Sequence, residues 1–185
     1  MSLPNLLQLE VAELEPIVKK LGFVLVQKLH RNVYSGTMKG KDCVLKLLDK
    51  TSVENNDRDC HVAAVEITLL KALLKLQKIH SVSYAQMFEA AWEAADCFVL
   101  ITRFAGRTLR DYLNETKLTD KNKKILLQSL LDGLRFLHDT AGIAHHDIKP
   151  DNITVEVADG VPTCRYIDFG GSIRREPLRP KILCR

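Results

Sequence analysis

The segment Ala144–Val155, AHHDIKPDNITV, sets two histidines, two aspartates, a lysine and an asparagine around one proline, directly ahead of a β-branched run. A third aspartate, Asp168, follows in YIDFG. Asp147, Asn152 and Asp168 flank apolar, strand-like stretches, where a polar group without a partner costs about 1–3 kcal/mol. Carboxylate and amide oxygens are hard donors of the kind Mg2+ accepts. The residue types therefore point to a phosphate–metal role. The neighbouring His145 and His146 do not imply zinc, because no third ligand stands at a workable spacing.

The elements that must position these groups can be read from periodicity. Residues 5–20 suggest a short amphipathic helix, interrupted at Pro16 and closed at Gly22. FVLVQKL (23–29), NVYSGT (32–37) and CVLKLL (43–48) predict three strands. Their hairpin-length connections imply an antiparallel meander. Helical spacing through Val62, Val65, Leu69, Leu70, Leu73 and Leu76 predicts a helix over 61–77. AQMFEAAW (85–92) and CFVLIT (97–102) predict two more strands. A short helix follows with a capping box from Thr108 to Asp111. Residues 122–139 predict a longer helix, and after the polar segment ITVEV and CRYID pair across ADGVPT. The order is β-β-β-α-β-β, a hinge, then helices with a small hairpin.

Bulk properties set the class. At 185 residues the chain suffices for one domain or for two lobes. It has no apolar run near the ~20 residues of a membrane span, and its N-terminus lacks a signal pattern. Cys43, Cys60, Cys97, Cys164 and Cys184 are odd in number and show no C-x-x-C spacing, which fits a reducing, intracellular compartment. The net charge of +4 lies entirely in the last fifteen residues, five basic against one acidic. The basic balance thus marks a tail and does not suggest a nucleic-acid face.

HHDIKPDN resembles the catalytic loop of eukaryotic protein kinases, H-R-D-x-K-x-x-N, and YIDFG resembles their metal-binding D-F-G motif. CVLK is similar to the V-A-I-K strand, with Glu66 in the next helix where a pairing glutamate belongs. The resemblance spans roughly residues 23–170, with four motifs in order. It implies an α+β, protein-kinase-like bilobal fold: a small antiparallel β-sheet lobe with one helix, and a partial, mainly helical C-lobe. The implied division is 1–22 as a helical extension, 23–102 as N-lobe, 103–170 as partial C-lobe, and 171–185 as basic tail.

The resemblance also implies roles. Asp147 orients the attacking hydroxyl and Lys149 neutralises the transferring group, while Asn152 and Asp168 hold Mg2+. Lys46 holds the phosphates of ATP, steered by an ion pair with Glu66. Val33, Val44 and Thr154 complete the ATP site. His145 packs against Phe169.

Three departures stand against this pattern. VQKLHRN carries no glycine where the family has a glycine-rich loop. Either Lys28, His30 or Arg31 supplies charge instead, or nucleotide binding is weaker. His146 replaces an arginine, which argues against switching by activation-loop phosphorylation. After Gly171 fourteen residues remain, with no A-P-E motif, so the chain is expected to be a C-terminally truncated form. The eight apolar residues of 125–137 then need cover from a protein partner or a second copy, or mark an incomplete gene product. The sequence thus predicts a serine/threonine protein kinase using ATP and Mg2+ on a protein substrate. The alternative is a weak or inactive kinase-like module that binds a full kinase or its substrate. A small-molecule kinase of the aminoglycoside-phosphotransferase type fits less well, because Lys149 and DFG are foreign to its pattern.

Overall fold

The computed structural model describes residues 3–50 and 58–174, with backbone alone for residues 58–62. The tail from Arg175 onward, with Leu178, Ile182, Leu183 and Cys184, lies outside the described residues, as does the side chain of Cys60. The chain forms two compact units: Met1–Leu74 with Gln86–Ala105, and Lys75–Ala85 with Gly106–Arg185.

The first unit is built on a five-stranded antiparallel sheet. Its strands are β1 (Phe23–His30), β2 (Val33–Met38), β3 (Lys41–Asp49), β4 (Phe88–Glu93) and β5 (Cys97–Arg103), in spatial order β1-β2-β3-β5-β4. The expected meander is present. Alternation of side chains gives the sheet two unlike faces. Tyr34, Met38, Cys43, Leu45, Leu47, Val99 and Ile101 point into a core closed by Leu3, Leu6, Leu14 and Val18 of the N-terminal segment. Val33, Ser35, Thr37, Val44 and Lys46 alternate with them on the other face and remain partly exposed.

The N-terminal helix is shorter than the sequence suggests. α1 spans Val11–Lys20, entered through a capping box of Glu10 and Glu13, and tolerates Pro16 within it. Residues 5–9 form a non-helical strap with a turn at Leu7-Gln8 instead, where the Asp96 carboxylate accepts the backbone N–H of Leu6 (2.8 and 2.9 Å) and of Leu7 (2.9 Å). Those two amides are therefore satisfied without a helix.

α2 (Arg58–His80) extends the predicted helix at both ends. Of the expected stripe Leu69, Leu70 and Leu73 are buried, joined by Ala63, Glu66, Ile67 and Gln77, whereas Val65 is exposed. A pattern counted on apolar residues alone cannot see the carboxylate and the amide in that stripe.

The second unit takes the end of α2 from Lys75, then β6 (Arg107–Thr108), α3 (Leu109–Glu115) and α4 (Asp120–Arg135). Thr108 caps α3 by accepting from the Asp111 N–H at 3.1 Å, as expected. The Asp111 carboxylate takes the Thr108 hydroxyl hydrogen at 2.6 Å. The helix expected over 122–139 ends as α-helix at Arg135 and widens into a π-turn, Phe136–Thr140, in which the Ala141 N–H reaches the Phe136 carbonyl.

Beyond it come β7 (Ile143–Ala144), a 3-10 turn (Pro150–Asn152), β8 (Ile153–Ala158), β9 (Val161–Tyr166) and β10 (Ile173–Arg174). β6, β8 and β9 form one sheet and β7 and β10 another. The β8–β9 turn is only Asp159-Gly160, both at positive φ (52° and 75°). Such a pair suits the tightest hairpins, so the remainder of ADGVPT joins the strands. α4 lies on β9, where the Tyr166 hydroxyl donates to the Leu130 carbonyl at 2.9 Å and Ser129 Oγ accepts from the Cys164 N–H at 2.8 Å.

Cys43, Cys97 and Cys164 are free and buried. Burial pushes the Cys97 thiol up to about 12 and Cys164 up to about 11, so these are packing residues and not nucleophiles.

Candidate active site

In the second unit the chain leaves β7, crosses the loop His145–Lys149, and enters β8 through the Pro150–Asn152 turn. The Ile167 N–H donates to the Asn152 carbonyl at 3.0 Å, so the segment after β9 is stitched beside that turn. Asp147, Lys149, Asn152 and Asp168 are thereby gathered at one end of the β8–β9 hairpin. Asp168 lies close enough that its charge raises the Lys149 ammonium, behind the larger effect of Asp147.

Two residues here, His146 (φ 65°) and Asp168 (φ 62°), adopt the left-handed conformation. The other described non-glycine residues at positive φ are Lys39, Ser81 and Asp159, and two of these stand beside a hairpin glycine. His146 and Asp168 have no such excuse. Strain of this kind collects where geometry serves function.

Lys149 Nζ donates to Asp147 Oδ2 at 2.7 Å. Asn152 Nδ2 donates to the same oxygen at 2.6 Å and to the Asp147 carbonyl at 2.9 Å. With both amide hydrogens committed, Asn152 has its oxygen left to offer. Asp147 and Lys149 are each half exposed, while Asn152 is buried. The Lys149 hydrogen bond, helped by Asn152, holds the Asp147 carboxyl below the usual range. Asp147 is therefore an anion across the neutral pH range, able to accept a proton or orient a hydroxyl.

His145 has a different job. Its Nε2 bonds the Ile167 carbonyl at 2.9 Å, Nδ1 accepts from the Asp147 N–H at 3.4 Å, and the ring lies 4.9 Å from that of Phe169. Burial lowers its pKa, outweighing the Ile167 carbonyl and the nearby aspartates. A neutral ring fits these contacts: it packs on Phe169 and ties the loop to the segment that carries Asp168.

In the first unit Lys46 Nζ meets Glu66 Oε2 at 3.2 Å and Oε1 at 3.3 Å. Glu66 is 1% exposed. Val33 pairs with Lys46 across β2–β3, and Ser35 with Val44, so the three predicted residues Val33, Val44 and Lys46 share the half-exposed face. Thr154 belongs to the second unit, where it is buried in β8 and its hydroxyl donates to the Arg165 carbonyl at 3.5 Å. The first unit also carries an open pocket of about 340 Å3 at the β1–β3 end of its sheet, lined by Val26, Leu29, Ser35, Thr37 and Phe104 among others.

Sequence reasoning passed over one pair. Arg110 of α3 forks onto Asp151, within the polar segment itself. Forty-one residues separate them, and no local spacing announces a contact at that distance.

Residues 31–179 match the family described as "Protein kinase domain". The chain belongs to that family. Curated kinases are also similar in sequence. Mouse "Serine/threonine-protein kinase DCLK2" is 29% identical over 133 residues, covering 71% of this chain and 16% of that protein. Human "Serine/threonine-protein kinase ULK3" is 28% identical over 177 residues, covering 89% and 34%. The "Serine/threonine-protein kinase dkf-2" of Caenorhabditis briggsae is 30% identical over 142 residues, covering 75% and 11%. The chain thus spans about a third or less of the length of these kinases. The kinase-domain match begins at the β1–β2 turn, so α1, the strap before it and β1 lie ahead of the matched region. Among the described residues no helix is long and apolar enough to cross a membrane.

Proposed function

We propose that the protein transfers the γ-phosphoryl group of ATP to serine or threonine hydroxyls of a protein substrate, with Mg2+. One observation carries this reading: Lys149 and Asn152 converge on a single oxygen of Asp147. Phosphoryl transfer asks a protein for positioning and charge neutralisation. Asp147 Oδ2 is the proton acceptor that orients the acceptor hydroxyl. Lys149 neutralises charge that builds up on the transferring group. In the first unit Lys46 holds phosphate oxygens, and Glu66, fixed by burial, sets the direction of that lysine. Val33 and Val44 offer an apolar surface to the nucleotide. The acceptor type is supported by the DIKPDN form of the loop and by the names of the related kinases.

The donor set fits Mg2+. Among the described residues no three His, Cys, Asp or Glu side chains are grouped to hold a metal ion. Mg2+ is satisfied by one or two protein oxygens together with substrate phosphates, and the Asn152 amide oxygen and the Asp168 carboxylate are of that kind. Bound Mg2+ supplies charge neutralisation at the phosphate oxygens.

The test is direct. Purified protein with γ-labelled ATP and Mg2+ should label itself or a generic basic protein, and Asp168→Asn should abolish the label. A melting-temperature rise with Mg-ATP reports nucleotide binding separately from turnover.

A second reading, a kinase-like module that binds a partner, is favoured by α4. Leu127 and Leu131, one turn apart, are 58% and 49% exposed. That reading gains if neither wild type nor Asp168→Asn labels anything while both capture the same partner.

A further inference from the structure

β1 departs from a regular strand twice. Leu25 pairs with Gly36 but the next pair is Gln27 with Ser35; Lys28 pairs with Tyr34 but the next is His30 with Val33. Each step inserts one unpaired residue, and a one-residue shift moves whatever follows to the opposite face of the sheet. Directly paired residues share a face.

The three basic residues of this hairpin are thereby sorted. Lys28 falls with Tyr34, on the face closed by α1, and its ammonium lies 5.8 Å from the centre of that ring. Were Leu29 paired in regular register, His30 would share the face of Lys28. With Leu29 unpaired, His30 pairs with Val33, and Val33 pairs with Lys46. His30, Val33 and Lys46 therefore form one row across three neighbouring strands, on the half-exposed face. Two strand spacings, about 10 Å, separate the backbones of His30 and Lys46. Arg31 sits in the two-residue turn, outside the row. His30 is exposed, and its ring makes no hydrogen bond among the described residues. An imidazole N–H donates to a phosphate oxygen in either protonation state.

We propose that His30 is a phosphate-binding residue, contacting the polyphosphate end of the nucleotide that Lys46 holds, with Lys28 taking no part. This rests on the nucleotide-binding reading above and deepens it: a side chain serves where glycine amides are missing from the hairpin.

The test is a binding titration of the full chain, by calorimetry, with Mg-ATP, Mg-ADP and adenosine. His30→Ala should weaken ATP and ADP about tenfold, the size of one charge-assisted hydrogen bond, and leave adenosine unchanged. Lys28→Ala should change none of the three. Unchanged melting temperatures would show that both exposed-site variants fold. The proposal is overturned if His30→Ala binds ATP as wild type does, if it loses adenosine equally, or if Lys28→Ala loses as much. A wild-type chain that binds none of the three ligands overturns the nucleotide reading as well, and so is distinguished from failure of the His30 assignment alone.

Discussion

Arg110 grips Asp151 through two parallel bonds, Nε to Oδ1 at 2.6 Å and Nη2 to Oδ2 at 2.7 Å, and so ties α3 to the turn that delivers Asn152. The fork raises the Arg110 pKa and lowers that of Asp151, each through its hydrogen bond to the other. Both side chains are exposed, so the pair contributes orientation more than stability. Arg110→Ala should leave the melting temperature near wild type while lowering kcat by a few-fold to about 100-fold, the range expected for a small misplacement of reacting groups. KM for ATP should hold. The exchange Arg110→Asp with Asp151→Arg should recover turnover. A double variant as slow as Arg110→Ala would remove the fork from the account of catalysis.

Asp147→Asn should reduce turnover by about 10²–10⁴ with little change in melting temperature, because it removes the proton acceptor from a half-exposed position. Asn152→Ala differs in kind. It deletes two hydrogen bonds from a buried side chain and should cost about 1–3 kcal/mol of stability as well as turnover. Parallel assays of rate and denaturant midpoint separate the two variants.

The strap before α1 should be sensitive to acid. Burial raises the Asp96 carboxyl, but the amides of Leu6 and Leu7 outweigh it and hold the carboxyl below its ordinary value. A carboxyl depressed in the folded state binds its proton more readily when unfolded. Its contribution is therefore present above the ordinary aspartate range, near pH 4, and is lost as pH falls through the lower, folded value. Asp96→Asn should melt lower than wild type at pH 7, and the two curves should approach one another toward pH 3. Parallel curves across that range would contradict the latch.

Gly133 of α4 faces the Tyr166 ring of β9. A Cβ there would stand 2.7 Å from Tyr166 Cε2, and Tyr166 is held by its hydroxyl on Leu130. Gly133→Ala should cost about 1–3 kcal/mol by overpacking, read as a lower denaturant midpoint at unchanged slope. At Gly171 a Cβ would meet nothing within 4 Å, so alanine there should leave the midpoint near that of wild type.

Much of the fold was legible in the chain. The three strands of the meander, both later strands of its sheet and α3 with its Thr108 cap lie within two or three residues of where periodicity and turn chemistry put them. Where reading failed, non-local bonds had overruled local preference. Residues 5–9 have helical composition, but a carboxylate ninety residues away takes the Leu6 N–H. Glu66 and Gln77 join Leu69, Leu70 and Leu73 in the buried stripe of α2, and an apolar count finds the leucines but not the two polar members.

The sequence by itself determined which chemistry was on offer, because a carboxylate, a lysine and an amide within six residues (Asp147, Lys149, Asn152) keep their donors and acceptors whatever the fold. That His145 would pack on Phe169 came from the resemblance of the loop, since the adjacent His146 has the same ring and is exposed. What only the tertiary structure decided was which partner each group meets. Asn152 turns both amide hydrogens onto Asp147, and Arg110 finds Asp151 across the unit. An unpaired Leu29 sends His30 to the face of Lys46 and leaves Lys28 on the other. The physical reason is common to all three. Donor and acceptor capacity belongs to the residue, whereas facing depends on strand register and chain return, and a single inserted residue reverses it.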